Sequence, residues 1–430
     1  MGNPYSQILS HPGALAFSTT GLLARLPLAM TGLGIVLMIE HAYGSYALAG
    51  TVSAIYVVGM AAAAPVLANL VDKYGQARIM RPALATFNLG LGALVLATVL
   101  RAPTPALFAA AAIAGVATGS IGALVRARWA ITVKDAGELH TAYALESALD
   151  EVVFVIGPVA ATMLATMIAG PVAILTAMAF SLVGGFWFLS LRDTEPPAQL
   201  RTSRPHELWE EAVDPDALPT TDTHALAPTR AHVPARARPI LYIPAMWCLI
   251  GVMLCVGVIF GATDVATVAF SKDLGYEAMA GVVLAIFAFG SLISGLIYGA
   301  RVWGATLPVR LAVGVIGLAG GASLFLFIDS LTLLAAVMFA TGFAIAPTFI
   351  NTNAVVQQVV HPTRLTEGLT WMSTATAAGA SLGSALAGVV IDARGGHAGF
   401  WVVVAGAAGA AVLVLATLPA IRRAISTAQL

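Results

Sequence analysis

Twelve runs of roughly 20 apolar residues fill most of this chain, each long enough to cross a ~30 Å hydrocarbon layer as a helix rising ~1.5 Å per residue. They extend approximately from Ala14 to Ile39, Tyr46 to Leu70, Pro82 to Leu100, Pro105 to Val125, Tyr143 to Ile168, Pro171 to Leu191, Leu241 to Ala269, Ala278 to Tyr298, Leu311 to Ile328, Leu331 to Val356, Leu369 to Ile391 and Ala398 to Ile421. Backbone groups find no water in a bilayer, so each run is read as a helix and the chain as an all-α polytopic membrane protein. A soluble reading fails on composition. Of 430 residues 59% are hydrophobic and 10% charged, against ~25% charged in soluble domains. The first run is too long for a signal-peptide core and no small-residue cleavage site follows it, so it is expected to stay as the first span.

Loop cations orient the helices. With a cytoplasmic N-terminus the inside segments hold 17 Lys and Arg, among them Lys73, Arg78, Arg126, Arg128 and Arg301, and the outside segments hold only Arg101, Lys272 and Arg394. That asymmetry places both termini in the cytoplasm. Net charge is zero, which offers no basic field for nucleic acid. The excess of Arg over Lys, with abundant Ala, points to a GC-rich bacterial genome and hence a bacterial cytoplasmic membrane. The two cysteines, Cys248 and Cys255, share one apolar run and form neither a disulfide framework nor a metal-ligand pattern.

Residues 192–239 interrupt the apolar rhythm with six Arg, eight Asp or Glu and seven prolines between Pro196 and Pro234. Such a segment is read as a flexible cytoplasmic linker between two six-helix bundles, 1–191 and 240–430. Within it, His206 to Val213 with Trp209 reads either as a solvated loop or as a short segment on the membrane surface.

The loop between the second and third spans runs Ala68-Asn69-Leu70-Val71-Asp72-Lys73-Tyr74-Gly75-Gln76-Ala77-Arg78. It resembles the G-x-L-x-D-R/K-x-G-x-x-R/K signature of the major facilitator superfamily, with Ala68 in place of the leading Gly. Six spans later Gly295-Leu296-Ile297-Tyr298-Gly299-Ala300-Arg301 is similar to a degenerate second copy. The resemblance implies two pseudo-symmetric six-helix bundles around a midplane site, and a gate in which Asp72, Lys73, Gly75, Arg78 and Arg301 hold the outward-facing state. Read physically, Asp72 and Arg78 suit the ends of helix dipoles; a tight solvated turn is the simpler alternative. Span five carries Gly157-Pro158, similar to the GP element of drug/proton antiporters in the superfamily, with Val153, Ala160 and Ala161 where further glycines stand in that element. Pro158 removes a backbone donor and Gly157 permits close helix contact, as packing or as a hinge.

Charges at bilayer depth cost ~2.5–3.5 kcal/mol each by insertion scales, so they are the best functional leads. Arg25 lies roughly 17 Å along the first span. Glu146, Asp150 and Glu151 lie on span five, Glu146 and Asp150 on one face and Glu151 about 100° round from it. Arg25 is read as the only intramembrane cation that offsets them, paired with Asp150 or Glu151. Such a cluster is either a static ion pair that fixes register or a protonation switch. Asp264 in span seven is a second proton-site candidate; Glu40 and Asp392 are read as interfacial, and Glu367 as a cap on span eleven. Span ten is polar in its cytoplasmic half, where Thr348, Asn351 and Asn353 are candidates to line the substrate cavity, with Trp371 of span eleven and Phe87 of span three as stacking partners.

No nucleotide-binding loop, paired-histidine metal motif or nucleophile elbow occurs in the chain, so neither an enzyme nor a cofactor is expected. The expectation is a monomeric secondary transporter in the lipid bilayer, moving a small-molecule substrate by alternating access. Proton-coupled efflux is the first reading; proton-coupled or facilitated import of a sugar or other small metabolite is the alternative.

Overall fold

Gly75 shows how continuous apolar sequence is cut into separate helices. Its φ of +93° is a conformation that residues with a Cβ adopt only under strain, and it ends one helix while starting the next. The computed structural model describes residues 4–198, 243–299, 303–360 and 365–428. Twelve helices in it are long and apolar enough to span a membrane: α1 Ala14–Tyr43, α2 Tyr46–Tyr74, α3 Gln76–Val99, α4 Thr104–Thr132, α5 Thr141–Met167, α6 Gly170–Ser190, α7 Pro244–Asp273, α8 Glu277–Tyr298, α9 Leu307–Phe327, α10 Leu331–Val359, α11 Gly368–Arg394 and α12 Gly396–Ile425. No strand occurs among the described residues. Most of the linker expected at 192–239, with the Trp209 segment, lies outside them, as does Arg301, and so does the side chain of Glu367.

Two spans are broken at matching places in the repeat. α4 consists of Thr104–Val116 and Ile121–Thr132, and α10 of Leu331–Gly342 and Ile345–Val359. Backbone freed by a break in lipid must find partners in the protein. At the α10 break the Ser294 hydroxyl of α8 donates to the Phe343 carbonyl at 2.5 Å. At the α4 break Thr118 donates to the Ala114 carbonyl at 2.9 Å. α6 contains a π-helical turn, Ser181–Gly185, where Gly184 lies against Leu23 and Ala24 of α1. α5 continues helical through Pro158.

Small residues bring the helices together. Gly257 and Gly261 of α7 face Gly379, Gly383 and Ala380 of α11 so closely that an added Cβ would strike backbone. The first six helices pack around α1 and the last six around α7; the halves meet along α2–α11 and α5–α8. At those seams Gly50 sits under Ser384, Gly388 under Tyr46, and Gly281 under Pro158. All three contacts lie toward the ends of the helices remote from the chain termini. We call that side the far face and the opposite side the terminal face. A short leading helix, Pro4–Leu9, and the turn after it are tied to the first turn of the helix Ala136–Met167 that continues as α5, where Gln7 and His11 reach Glu138 at 3.0 and 3.1 Å.

Candidate transport site

With the halves joined at the far face, a cavity of about 1020 Å³ lies between them from mid-height toward the terminal face. Its walls are chiefly apolar and aromatic. Phe260 of α7 and Phe349 of α10 stack with centroids 6.0 Å apart, and Phe287 of α8 lies 6.2 Å from Phe260. Glu151 of α5 and Asp264 of α7, one from each half, are the only charged side chains lining it among the described residues. Asp264 follows Phe260 by four residues and so shares its helix face. Neither carboxylate has a hydrogen bond or ion pair among the described residues, and Asp264 is open to the cavity.

Of the substrate-contact candidates only Asn353 lines this cavity. Asn351 is buried, its amide donating to the Pro347 carbonyl at 2.7 Å and bonded to the Tyr298 hydroxyl at 2.9 Å, which fastens α10 to α8. Thr348 is buried against Gly314 of α9 and donates to the Ala344 carbonyl at 2.7 Å. Trp371 packs on the hydrophobic core. These expectations are corrected for one reason: on a helix each residue turns the side chain by about 100°, and composition does not tell which face of a polar stretch meets the cavity. Phe87 is buried and lines a second chamber.

That chamber, about 420 Å³, shares Leu28, Tyr56, Met60 and Phe154 with the first and holds the charge cluster. Arg25 pairs with both Glu146 and Asp150, the latter at 2.6 Å. Glu146 is wholly buried and also accepts from Ser18 at 2.7 Å and Trp129 at 2.8 Å. Asp150 accepts a second guanidinium, Arg126, at 2.7 Å. The expectation that Arg25 is the sole cation there is therefore corrected: α4 continues to Thr132, which carries Arg126 from an expected loop into the helix. Gly122 leaves the space into which Arg126, Arg25 and Asp150 converge. Two arginines and two carboxylates balance, and Glu151 stands outside the cluster. Gly157 abuts Ala29, holding α5 against α1 beside it.

Arg128, counted among the loop cations from sequence, is also wholly buried. It donates to Gln76 at 3.0 Å, the Leu191 carbonyl at 2.8 Å and Thr194 at 3.0 Å, and lies 3.9 Å over the Phe188 ring, tying α3, α4 and the end of α6. In the signature loop Asp72, Lys73 and Arg78 are exposed. Among the described residues Asp72 makes no hydrogen bond or ion pair to the other half; its expected gate partner Arg301 lies outside them. Instead Glu195 caps α3, accepting from the Ala77 amide at 2.8 Å.

The far face carries polar contacts between halves. Lys272 of α7 reaches Glu40 of α1 at 2.6 Å, and His41 faces Glu277 of α8 at 3.4 Å. Asp392 of α11 accepts from Ser45 at 2.7 Å, the Tyr46 amide at 2.7 Å and the Ala47 amide at 2.9 Å, meeting the positive dipole end of α2. Glu40 and Asp392 are thus partners across the halves, which no spacing in the sequence discloses.

Solved structures similar to this chain include two transporters. The nucleoside transporter NupG superposes with a TM-score of 0.68 at 15% identity, covering 96% of this chain and 99% of that one, and a point mutant of NupG superposes with 0.67 at 16% identity, covering 95% and 99%. The human organic anion transporter MFSD10 (TETRAN) superposes with 0.61 at 14% identity, covering 95% and 100%. Among functionally curated proteins none matches the chain by sequence. The sequence profile of the Major Facilitator Superfamily matches residues 17–323 and 278–428, and with twelve helices in two halves around a shared cavity the chain belongs to that superfamily of membrane transporters.

Proposed function

We propose that the chain is a proton-coupled exporter of small, lipophilic, neutral or cationic organic compounds, with Glu151 and Asp264 as the proton-accepting groups. The observation that carries this reading is the pair of unpartnered carboxylates, one from each half, in an apolar cavity whose described lining holds no cation. An anion facing such a wall needs a proton or a cationic ligand to balance it. Competition between the two for one carboxylate is what an antiporter requires. Glu146 and Asp150, saturated by Arg25, Arg126, Ser18 and Trp129, are assigned to holding α1, α4 and α5 together.

In the same reading the terminal face is cytoplasmic, in a bacterial inner membrane, and segments 1–191 and 240–430 rock as two bodies in a monomer. Asp72, Lys73, Gly75 and Arg78, with Arg301, would join the halves in the opposite conformation, once the terminal face closes. The test is transport in proteoliposomes with an imposed pH gradient, using a fluorescent lipophilic cation and a radiolabelled nucleoside as probes. Gradient-driven movement of the cation is expected, with Asp264→Asn and Glu151→Gln each losing the gradient's effect while still exchanging the probe down its own gradient. Accumulation that both variants retain overturns the assignment. The Phe260–Phe349 stack beside Asn353 also suits a flat polar ring. Proton-driven uptake of the nucleoside alone would therefore establish the import reading.

A further inference from the structure

At the far face, well away from the cavity carboxylates, Glu40 and His41 at the end of α1 and Glu277 at the start of α8 converge. One ligand-competent atom from each lies within 4.8 Å of the others. The imidazole is already set for coordination. Its Nδ1 donates to the Leu37 carbonyl at 2.7 Å, which leaves the lone pair on Nε2. That nitrogen faces Glu277 Oε1 at 3.4 Å, a contact that a proton or a metal ion between the two atoms would bridge. A separation of this size is what two bonds of ~2.0–2.1 Å at a tetrahedral angle produce.

A second observation lies beside it. Glu40 is only 6% exposed, and while its Oε1 takes Lys272 at 2.6 Å, its Oε2 is buried with no hydrogen-bond partner, 4.0 Å from the imidazole at Nδ1. Glu277 Oε1 is likewise buried without a hydrogen bond. Of the other far-face carboxylates, Asp392 is held by Ser45 and the Tyr46 and Ala47 amides and Asp273 by the Gly396 amide at 2.7 Å, while Asp329 is exposed to solvent. His41 is about a third exposed, so an ion has access from solvent.

We infer that Glu40, His41 and Glu277 form a site for a divalent transition metal of the zinc class, bridging the two halves and holding the far face closed. One nitrogen and two carboxylate oxygens, with water completing a tetrahedron, match zinc rather than calcium or magnesium, which take oxygen ligands alone. The charges fit as well: two carboxylates against Lys272 leave one net negative charge to attract the ion. Because α1 and α8 belong to different halves, binding stabilises only conformations in which their ends are close.

The test is Zn²⁺ titration of the full-length protein in detergent, read by competition with a chelating dye. Electron spin resonance distances between labels at Arg101 and Arg394, both exposed on the far face, are recorded alongside. One ion per chain is expected, with His41→Ala and Glu277→Gln each weakening binding about tenfold or more, as loss of even an outer partner does at metal sites. Lys272→Met, which removes the competing cation, should tighten it. Zinc should also narrow the distance distribution toward its short component in the wild type and not in His41→Ala. Binding that both ligand variants retain, or a wild type that takes up no zinc at neutral pH, overturns the proposal. Tighter binding in Lys272→Met separates a metal site from a latch made of salt bridges alone, which that substitution would only weaken.

Discussion

A guanidinium at mid-membrane is tolerable only when its charge is met at once, and Arg25 is met twice. The pair with Glu146 is almost fully buried, so breaking it strands a charge. Arg25→Met is expected to cost about 3–5 kcal/mol of stability, seen as a large fall in the thermal unfolding midpoint in detergent. Arg25→Met combined with Glu146→Gln should recover much of that loss, since no charge is then left alone; a double variant as unstable as the single one would mean that packing, not charge, is at stake. That Arg25 needs a carboxylate of α5 was legible in the sequence, but the expected choice lay between Asp150 and Glu151, and the pair with Glu146 was not foreseen. Nor was Arg126, for its role depends on where α4 ends. Asn353 could not be told from Asn351 for the same kind of reason: two residues on one polar stretch point in different directions, and only packing selects between them.

Among the elements, the α2–α3 corner rests on one conformation. Gly75 is held at φ +93° with Glu195 Oε1 beside it, 3.3 Å from where a Cβ would stand. Gly75→Ala is expected to cost about 1–3 kcal/mol, because φ +93° with ψ 151° is a region that residues with a Cβ hardly populate, read as a lower unfolding midpoint; an unchanged midpoint would show that the corner relaxes freely. Apolar run length disclosed all twelve helices, since a bilayer permits few other solutions. The breaks in α4 and α10 escaped notice because both interrupt sequence that stays apolar enough to cross. The Thr118-Gly119-Ser120 cluster was the single local hint. Nor did the sequence reveal that α3 is capped by Glu195, a residue well over a hundred positions away from the helix it serves.

At the scale of the whole molecule, the positive-inside count predicts that the two faces lie on opposite sides of the membrane. In a background with Cys248 and Cys255 replaced by alanine, Asp193→Cys should react with a membrane-impermeant thiol reagent only from the cytoplasm and Arg394→Cys only from outside. Reaction of both from one side would remove the twelve-span topology. The arrangement of contacts between halves has a kinetic corollary. The Lys272–Glu40 pair joins a partly exposed lysine to a buried carboxylate, and the Asp392 cap at α2 is worth roughly 0.5–2 kcal/mol, yet all must open together before the cavity can change sides. An empty carrier meets that barrier without help from substrate binding. Its return is then expected to be the slow half of the cycle, with labelled substrate leaving vesicles faster when unlabelled substrate waits on the other side. Asp392→Asn, by loosening the clasp, should bring one-way flux closer to exchange, whereas a ratio that stays fixed would place the slow step elsewhere in the cycle.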